Sequence, residues 1–414
     1  MKRAAVIAIV GMGMATAGPL WCAKAPQTPA EPQPAMRIEV APLGYMPPSG
    51  FYLTYKLSSA SLGFFDNDHL LFTFRVGGLL KRLPGGAADD DDQQIRAVVL
   101  DLRTGKVVRQ TEWRMHDRNQ YLWPFTDGNF LVRVRDTLYL TGPSLALRTY
   151  FSSDTPLETV ELSPDRRTMV IEKDDPQKSS GPTLGDAPLE KTPVQVEIVP
   201  AGSKEATVIQ DAESPVRVPL LGAGIADVLE GRTEGSWAVR EVPLQGQSKI
   251  LAEVKSNCRP TVEPVSATVA LVEGCYQADE DRPVIAISTD GRELWREQWE
   301  NKYVWGWFTS AQNGSRFVYE SVEVTRPISV FDALDESDIS QQLAGVYDTE
   351  SGKLILVRDA NPVLTGGQNV ALSPDGRRFA VLRRGALEIY DLPPVSAPPP
   401  QPASANQPKT PKAK

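Results

Sequence analysis

The chain has 414 residues, carries a formal charge of −8 and contains two histidines, His69 and His116. At that length a single compact core is not the default, so two domains or a repeat array are expected. Scarce histidine argues against His-dependent catalysis and His-rich metal sites, and an acidic chain repels a phosphate backbone, which argues against a nucleic-acid partner.

Residues 1–25 read as a secretory leader. Lys2 and Arg3 form a charged start, Ala4 to Met14 form an uncharged apolar run, and Ala15 with Ala17 offer small residues for cleavage. Ala23 and Ala25 offer a second cleavage place, which Pro26 obstructs. The apolar run is short of the ~20 residues that span a bilayer, so an uncleaved anchor is the weaker reading. Leu20-Trp21 lacks the small residue that a lipid-anchor signal places before its cysteine, which argues against anchoring through Cys22. A periplasmic or secreted location follows. Segment 26–36, with Pro26, Pro29, Pro32 and Pro34, reads as a linker. Segment 394–414, rich in proline and ending in Lys409, Lys412 and Lys414, reads as a solvated tail.

Between them, over 37–393, helical periodicity is nearly absent. Runs of about five β-branched or apolar residues recur instead, such as His69–Phe74, Arg96–Leu100, Phe130–Val134, Thr168–Ile171, Val194–Val199, Thr268–Val272, Val284–Ile287, Arg316–Tyr319 and Arg378–Leu382. The turns recur as well. Leu162-Ser163-Pro164-Asp165-Arg166-Arg167 matches Leu372-Ser373-Pro374-Asp375-Gly376-Arg377, with degenerate copies at Phe65–Asp68, Phe125–Gly128 and Ala311–Gly314. A second turn, Asp101–Lys106, Asp348–Lys353 and the shorter Ser288–Arg292, closes a different strand pair. Pro presets φ, Asp bonds its own backbone and Gly supplies a positive φ. Two alternating turn types predict four-stranded blades, near 60–112, 120–150, 157–210, 215–255, 260–300, 303–360 and 365–392. The last unit is short of a strand, and Arg37–Val40 is placed to complete it. The expected fold is therefore all-β: a β-propeller of about seven four-stranded blades, its ring closed by an N-terminal strand.

The Leu-Ser-Pro-Asp-Gly-Arg turn before an apolar strand, and the Asp-x-x-Thr/Ser-Gly-Lys turn, resemble the WD40-like and quinoprotein-like β-propeller repeats of exported bacterial proteins. The resemblance spans roughly residues 37–393 and implies architecture; the family includes binding platforms, assembly modules and enzymes.

Chemistry-bearing patterns are few. Cys258 and Cys275, the pair left once the leader is removed, predict a disulfide between neighbouring strands. Asp89 to Asp92 suggest a hard-cation loop, yet adjacent carboxylates cannot all face one ion, so a solvated loop is the plainer reading. Trp295–Phe308 is the densest aromatic stretch. Tyr303, Trp305 and Trp307 would share one strand face and form a candidate ligand surface, although packing between blades needs the same residues. No nucleophile motif, phosphate loop, metal-ligand spacing or quinone-docking tryptophan repeat is present, so no catalytic, cofactor or metal residue is assigned. The expectation is a non-catalytic exported scaffold in the cell envelope that binds a protein or carbohydrate where the insertions 174–192 and 329–343 gather. The alternative is a secreted polysaccharide hydrolase or lyase with acids at the channel mouth.

Overall fold

The computed structural model describes residues 32–78, 80, 93–116, 120–174, 192–203, 205–214, 218–274, 282–299, 304–328, 334–364 and 368–395. The leader, nearly all of the tail, Asp89–Asp92, Cys275 and Tyr303 lie outside the described residues. The described residues from Pro34 onward form one compact unit.

A first strand, β1 (Met36–Glu39), is followed by a short helix, α1 (Gly50–Thr54). Blade 1 comprises β2 (Ala60–Phe64), β3 (His69–Val76), β4 (Gln93–Asp101) and β5 (Lys106–Met115). Blade 2 comprises β6 (Leu122–Pro124), β7 (Phe130–Val134), β8 (Thr137–Thr141) and β9 (Arg148–Ser152). Blade 3 comprises β10 (Leu157–Leu162), β11 (Thr168–Asp174), β12 (Thr192–Pro200) and β13 (Thr207–Ser214). Blade 4 comprises β14 (Leu220–Leu221), β15 (Gly224–Glu230), β16 (Ser236–Pro243) and β17 (Lys249–Lys255). Blade 5 comprises β18 (Thr261–Pro264), β19 (Val269–Glu273), β20 (Arg282–Ser288) and β21 (Glu293–Trp299). Blade 6 comprises β22 (Val304–Ser310), β23 (Arg316–Val324), β24 (Ile339–Asp348) and β25 (Leu354–Asp359). Blade 7 comprises β26 (Val370–Leu372), β27 (Arg378–Arg383) and β28 (Ala386–Asp391).

These strands form seven four-stranded antiparallel sheets, and the sheet of blade 7 takes its fourth strand from β1, in the order β1-β28-β27-β26. The expected propeller and its closure by an N-terminal strand are both present. Met36 faces Ile389 and Glu39 faces Ala386 across the closing ladder. The first strand of each blade lies innermost, as the bridge between Ser61 and Gln368 shows for blades 1 and 7.

The hydrophobic core is split among the seams, one cluster to each. In β3, Leu70, Phe72 and Phe74 pack toward blade 7 with Leu382, Leu387 and Ile389, while Leu71 packs toward blade 2 with Phe130 and Val132. Both faces of such a strand are buried, which is why it reads as a continuous apolar run. The outer β5 begins instead with five exposed residues. Each buried Leu or Phe contributes about 1.5–3 kcal/mol relative to exposure.

The repeated turn is one hydrogen-bond module. In blade 7 the Ser373 hydroxyl donates to Asp375 (2.7 Å) and accepts from the amides of Arg377 (3.1 Å) and Arg378 (2.9 Å). In blade 3 Ser163 donates to Asp165 (2.6 Å) and accepts from Arg167 (3.2 Å) and Thr168 (3.0 Å). The Ser288–Arg292 turn joins the third and fourth strands of blade 5, yet Ser288 again donates to Asp290 and accepts from the Arg292 amide. Arg292 and Ser288 together hold the Asp290 carboxyl down at about 2.

Candidate functional site

Antiparallel meanders put the first-to-second and third-to-fourth turns of every blade at one end of the ring. The second-to-third and blade-to-blade connections go to the other. At the first end the turns are short and bonded to one another. The Asn313 side-chain amide donates to Asp375 O (3.0 Å), the Asp375 amide donates to Asn67 Oδ1 (3.3 Å), and Arg378 reaches Asp68 (2.8 Å). A Thr349 amide donates to Ser315 O (3.1 Å) in the same way. Such a face is rigid.

The strand ends flanking 40–59, 77–92, 175–191 and 325–338 all lie at the opposite face, while residues 81–92, 175–191 and 329–333 themselves lie outside the described residues. Both predicted insertions are thus anchored at one end. The second is narrower than expected: residues 339–343 belong to β24, where Leu343 pairs with Ser321, because the strand continues the ladder of β23.

The described feature of this face is α1, with the chain that leads into it. Phe51, Tyr55 and Met46 are exposed at 42%, 62% and 63%. The Phe51 ring sits 4.7 Å from Tyr55 and 6.0 Å from Tyr52. The helix is pinned beneath, since Leu53 is buried and the Leu334 amide donates to Thr54 O (3.4 Å). Two clefts flank it. One, of about 310 Å³, is lined by Tyr45, Met46, Tyr52, Ser59, Arg75 and Gln93. The other, of about 420 Å³, is lined by Ser49, Leu53, Glu336, Gln341, Asp359 and Asn361.

The first cleft is polar at its base. Arg75 Nε donates to Ser58 O (2.6 Å) and Nη1 to Gln93 Oε1 (3.1 Å), and Tyr52 Oη donates to the same Gln93 oxygen (3.2 Å). The guanidinium lies 5.5 Å from the Tyr121 ring and 6.0 Å from that of Tyr52, a cation–π arrangement. Burial pushes the Tyr121 phenol up to about 12, against the pull of its bond with Thr73. Burial also raises Tyr45, with Tyr121 adding a further push. Composition and motif give no warning of this cleft, because Gly44–Tyr55 falls between the closing strand and the first blade, outside the repeated units. The crowding of Tyr45, Phe51, Tyr52 and Tyr55 around Pro47-Pro48 was the available signal.

The residues singled out in the sequence are distributed differently. Trp295, Trp299 and Phe308 pack in the seam between blades 5 and 6, where Trp299 lies 4.6 Å from Tyr319 and 5.4 Å from Tyr347. Trp307 is half-buried in β22, paired with Glu320, on the strand face opposite Phe308. Trp305 belongs to the same strand and pairs with Val322. Trp113 and Trp123 are buried in the seams on either side of blade 2. Cys258 is exposed in the connection between β17 and β18. His69 is not isolated: its Nδ1 lies 2.8 Å from Asp66, because the turn folds Asp66 back over the start of β3. Among the described residues no cluster of His, Cys, Asp or Glu could hold a metal ion. No helix among them is long and apolar enough to cross a membrane.

On the axis, a cavity of about 170 Å³ is bounded by the inner strands of blades 2, 3, 5 and 6. Among the described residues Glu263 is the carboxylate on its wall. Among the described residues the carboxyl most displaced from its ordinary range, Glu320, is pushed up to about 8 by burial and receives a long hydrogen bond from Thr309 (3.5 Å).

No protein-family model and no curated protein matches the chain. It is similar in structure to an acylaminoacyl peptidase of Pyrococcus horikoshii, at 10% identity and a TM-score of 0.49, covering 81% of this chain and 51% of that one, so it spans about half of the peptidase's length. It is also similar to a chain of a mitotic checkpoint complex, at 12% identity and a TM-score of 0.44, covering 93% of this chain and 98% of that one. A putative TolB from Agrobacterium tumefaciens is similar at 12% identity and a TM-score of 0.40, covering 74% of this chain and 100% of that one.

Proposed function

We propose that the chain is a non-catalytic binding scaffold, exported to the periplasm or beyond, that holds a protein partner on the face carrying α1 and the long connections. The observation that supports this most directly is the exposed pair of Phe51 and Tyr55 rings, carried by α1 and its C-cap between two clefts, with Met46 exposed on the segment that leads into the helix. Exposed aromatic residues on a rigid support are the usual anchors of protein interfaces. Crosslinking capture from envelope extract tests it. The wild-type chain should retain a partner that a Phe51→Ala/Tyr55→Ala variant loses, while Asn313→Ala, on the opposite face, retains it. Equal capture by all three, or turnover of a polysaccharide by the pure chain, would sink the reading.

Export rests on the leader over 1–25, and amino-terminal sequencing of the protein from a periplasmic fraction tests it. The 394–414 segment is proposed as a solvated tail. A disulfide between Cys258 and Cys275 is proposed on the register of β18 with β19, in which Thr261, shortly after Cys258 in the sequence, faces Glu273, shortly before Cys275. Intact mass before and after reduction with alkylation reads it directly.

A further inference from the structure

The first-to-second-strand turns of blades 3 and 7 share their hydrogen bonds but differ at one position. Blade 7 places Gly376 at φ 69°, and blade 3 places Arg166 at φ 64°. That left-handed region suits glycine and penalises a side chain, so a long charged residue there is held against local preference. The Arg166 side chain does not escape to solvent. The residue is 7% exposed, and it lines the axial cavity of about 170 Å³ together with Trp123, Glu263, Phe308, Thr309 and Gln368.

Its partners are meagre for a buried cation. Nη2 donates to Ser310 O of blade 6 at 3.4 Å, at the edge of hydrogen-bond range. Among the described residues no acid forms an ion pair with it, although Glu263 shares the cavity wall. Burial alone pulls its pKa down to about 10, which agrees with a guanidinium that lacks a neighbouring carboxylate. A buried charge without a counter-charge is costly, and the usual remedies are a paired acid or a bound anion. A guanidinium presents its N–H groups as a planar fork that matches two oxygens of a carboxylate or phosphate. Thr309, Gln368, Trp123 and Phe308 also line the cavity. The cavity has room for a ligand of a few heavy atoms.

We propose that Arg166 and the axial cavity at the tight-turn end of the ring form a binding site for a small oxyanion, of carboxylate or phosphate type. This inference is independent of the partner face on α1, which lies at the other end. The test uses the full chain and three anions: inorganic phosphate, acetate, and chloride at matched ionic strength. The melting temperature of the wild type should rise with the logarithm of phosphate or acetate concentration and stay level in chloride, as mass action requires of a ligand bound by the folded state. The anion that gives the larger rise identifies the source. Arg166→Gly adopts the residue that blade 7 uses, so it should still melt cooperatively, with apparent affinity for that anion at least about tenfold weaker. Arg166→Lys, a point charge without the fork, should fall between the two. The proposal is overturned if neither oxyanion exceeds chloride, or if Arg166→Gly responds as the wild type does. It is overturned too if that variant simply melts lower with its anion response intact, since Arg166 would then be a strut between blades 3 and 6.

Discussion

Glu320 sits within β23, buried at 3% exposure, with one long bond from Thr309 as its described support. Its folded pKa of about 8 lies above the ordinary 4.5 because burial penalises the charged form. Over that window the folded chain keeps a proton that the unfolded chain has released. Its contribution to stability is therefore complete at low pH and is lost as pH rises through about 8. Glu320→Gln keeps the shape and abolishes the titration. Urea unfolding near pH 5 and near pH 8 should show the variant gaining on the wild type at the higher pH; a constant gap would mean that Glu320 is already ionised in the folded chain. The serine of the turn module is the second residue with a defined load. Ser373 makes its contacts at almost no exposure, so Ser373→Ala strips the Arg378 amide of its side-chain acceptor, while the Arg377 amide keeps Asp375 (3.0 Å). A loss of about 1–3 kcal/mol in denaturant unfolding is expected.

At the scale of elements, β1 is the part on which closure depends. It supplies an outer strand to blade 7, and Arg37 reaches the buried Glu388, which also takes bonds from Arg383 (3.3 Å) and Tyr390 (2.6 Å). Opening this seam would expose the edge of β28 and the apolar face behind it. Deleting residues 36–39 should lower the melting temperature and promote association, read by calorimetry and light scattering. Leu387→Ala, in the same seam with both strands present, should cost about 2–5 kcal/mol without promoting association. If the deletion behaves no worse than Leu387→Ala, closure by β1 is dispensable.

Across the whole molecule, the surface proposed for recognition lies apart from the buried seams that carry stability. Seam residues such as Phe72 are fully buried between blades, and Phe72→Ala should cost about 3–5 kcal/mol. Phe51 is as large and stands exposed on α1, so Phe51→Ala should change stability by no more than about 0.5 kcal/mol while weakening partner capture. Chemical denaturation of the two variants side by side separates these roles. A large loss from Phe51→Ala would make α1 part of the core and remove the basis for its role in binding.

The blades were legible in the linear chain because their determinants are local. A turn such as Ser373–Arg377 closes its own hydrogen bonds within a few residues, and a strand such as β3 is apolar throughout because both its faces are covered. Repetition of those two signals pointed to about seven blades and to the need for a strand from the start of the chain, and the structure fixed the count at seven. The candidate sites were not legible, because they join residues from different blades. Arg75, Gln93, Tyr121 and Tyr52 meet only after blades 1 and 2 dock, and Arg166 approaches Ser310 only because blades 3 and 6 face each other across the ring. Nothing in the spacing of Arg166 in its turn marks it as buried. Periodicity encodes which face of a strand is covered, whereas the identity of the neighbour across the axis follows from the radius and closure of the ring, and those exist only in three dimensions.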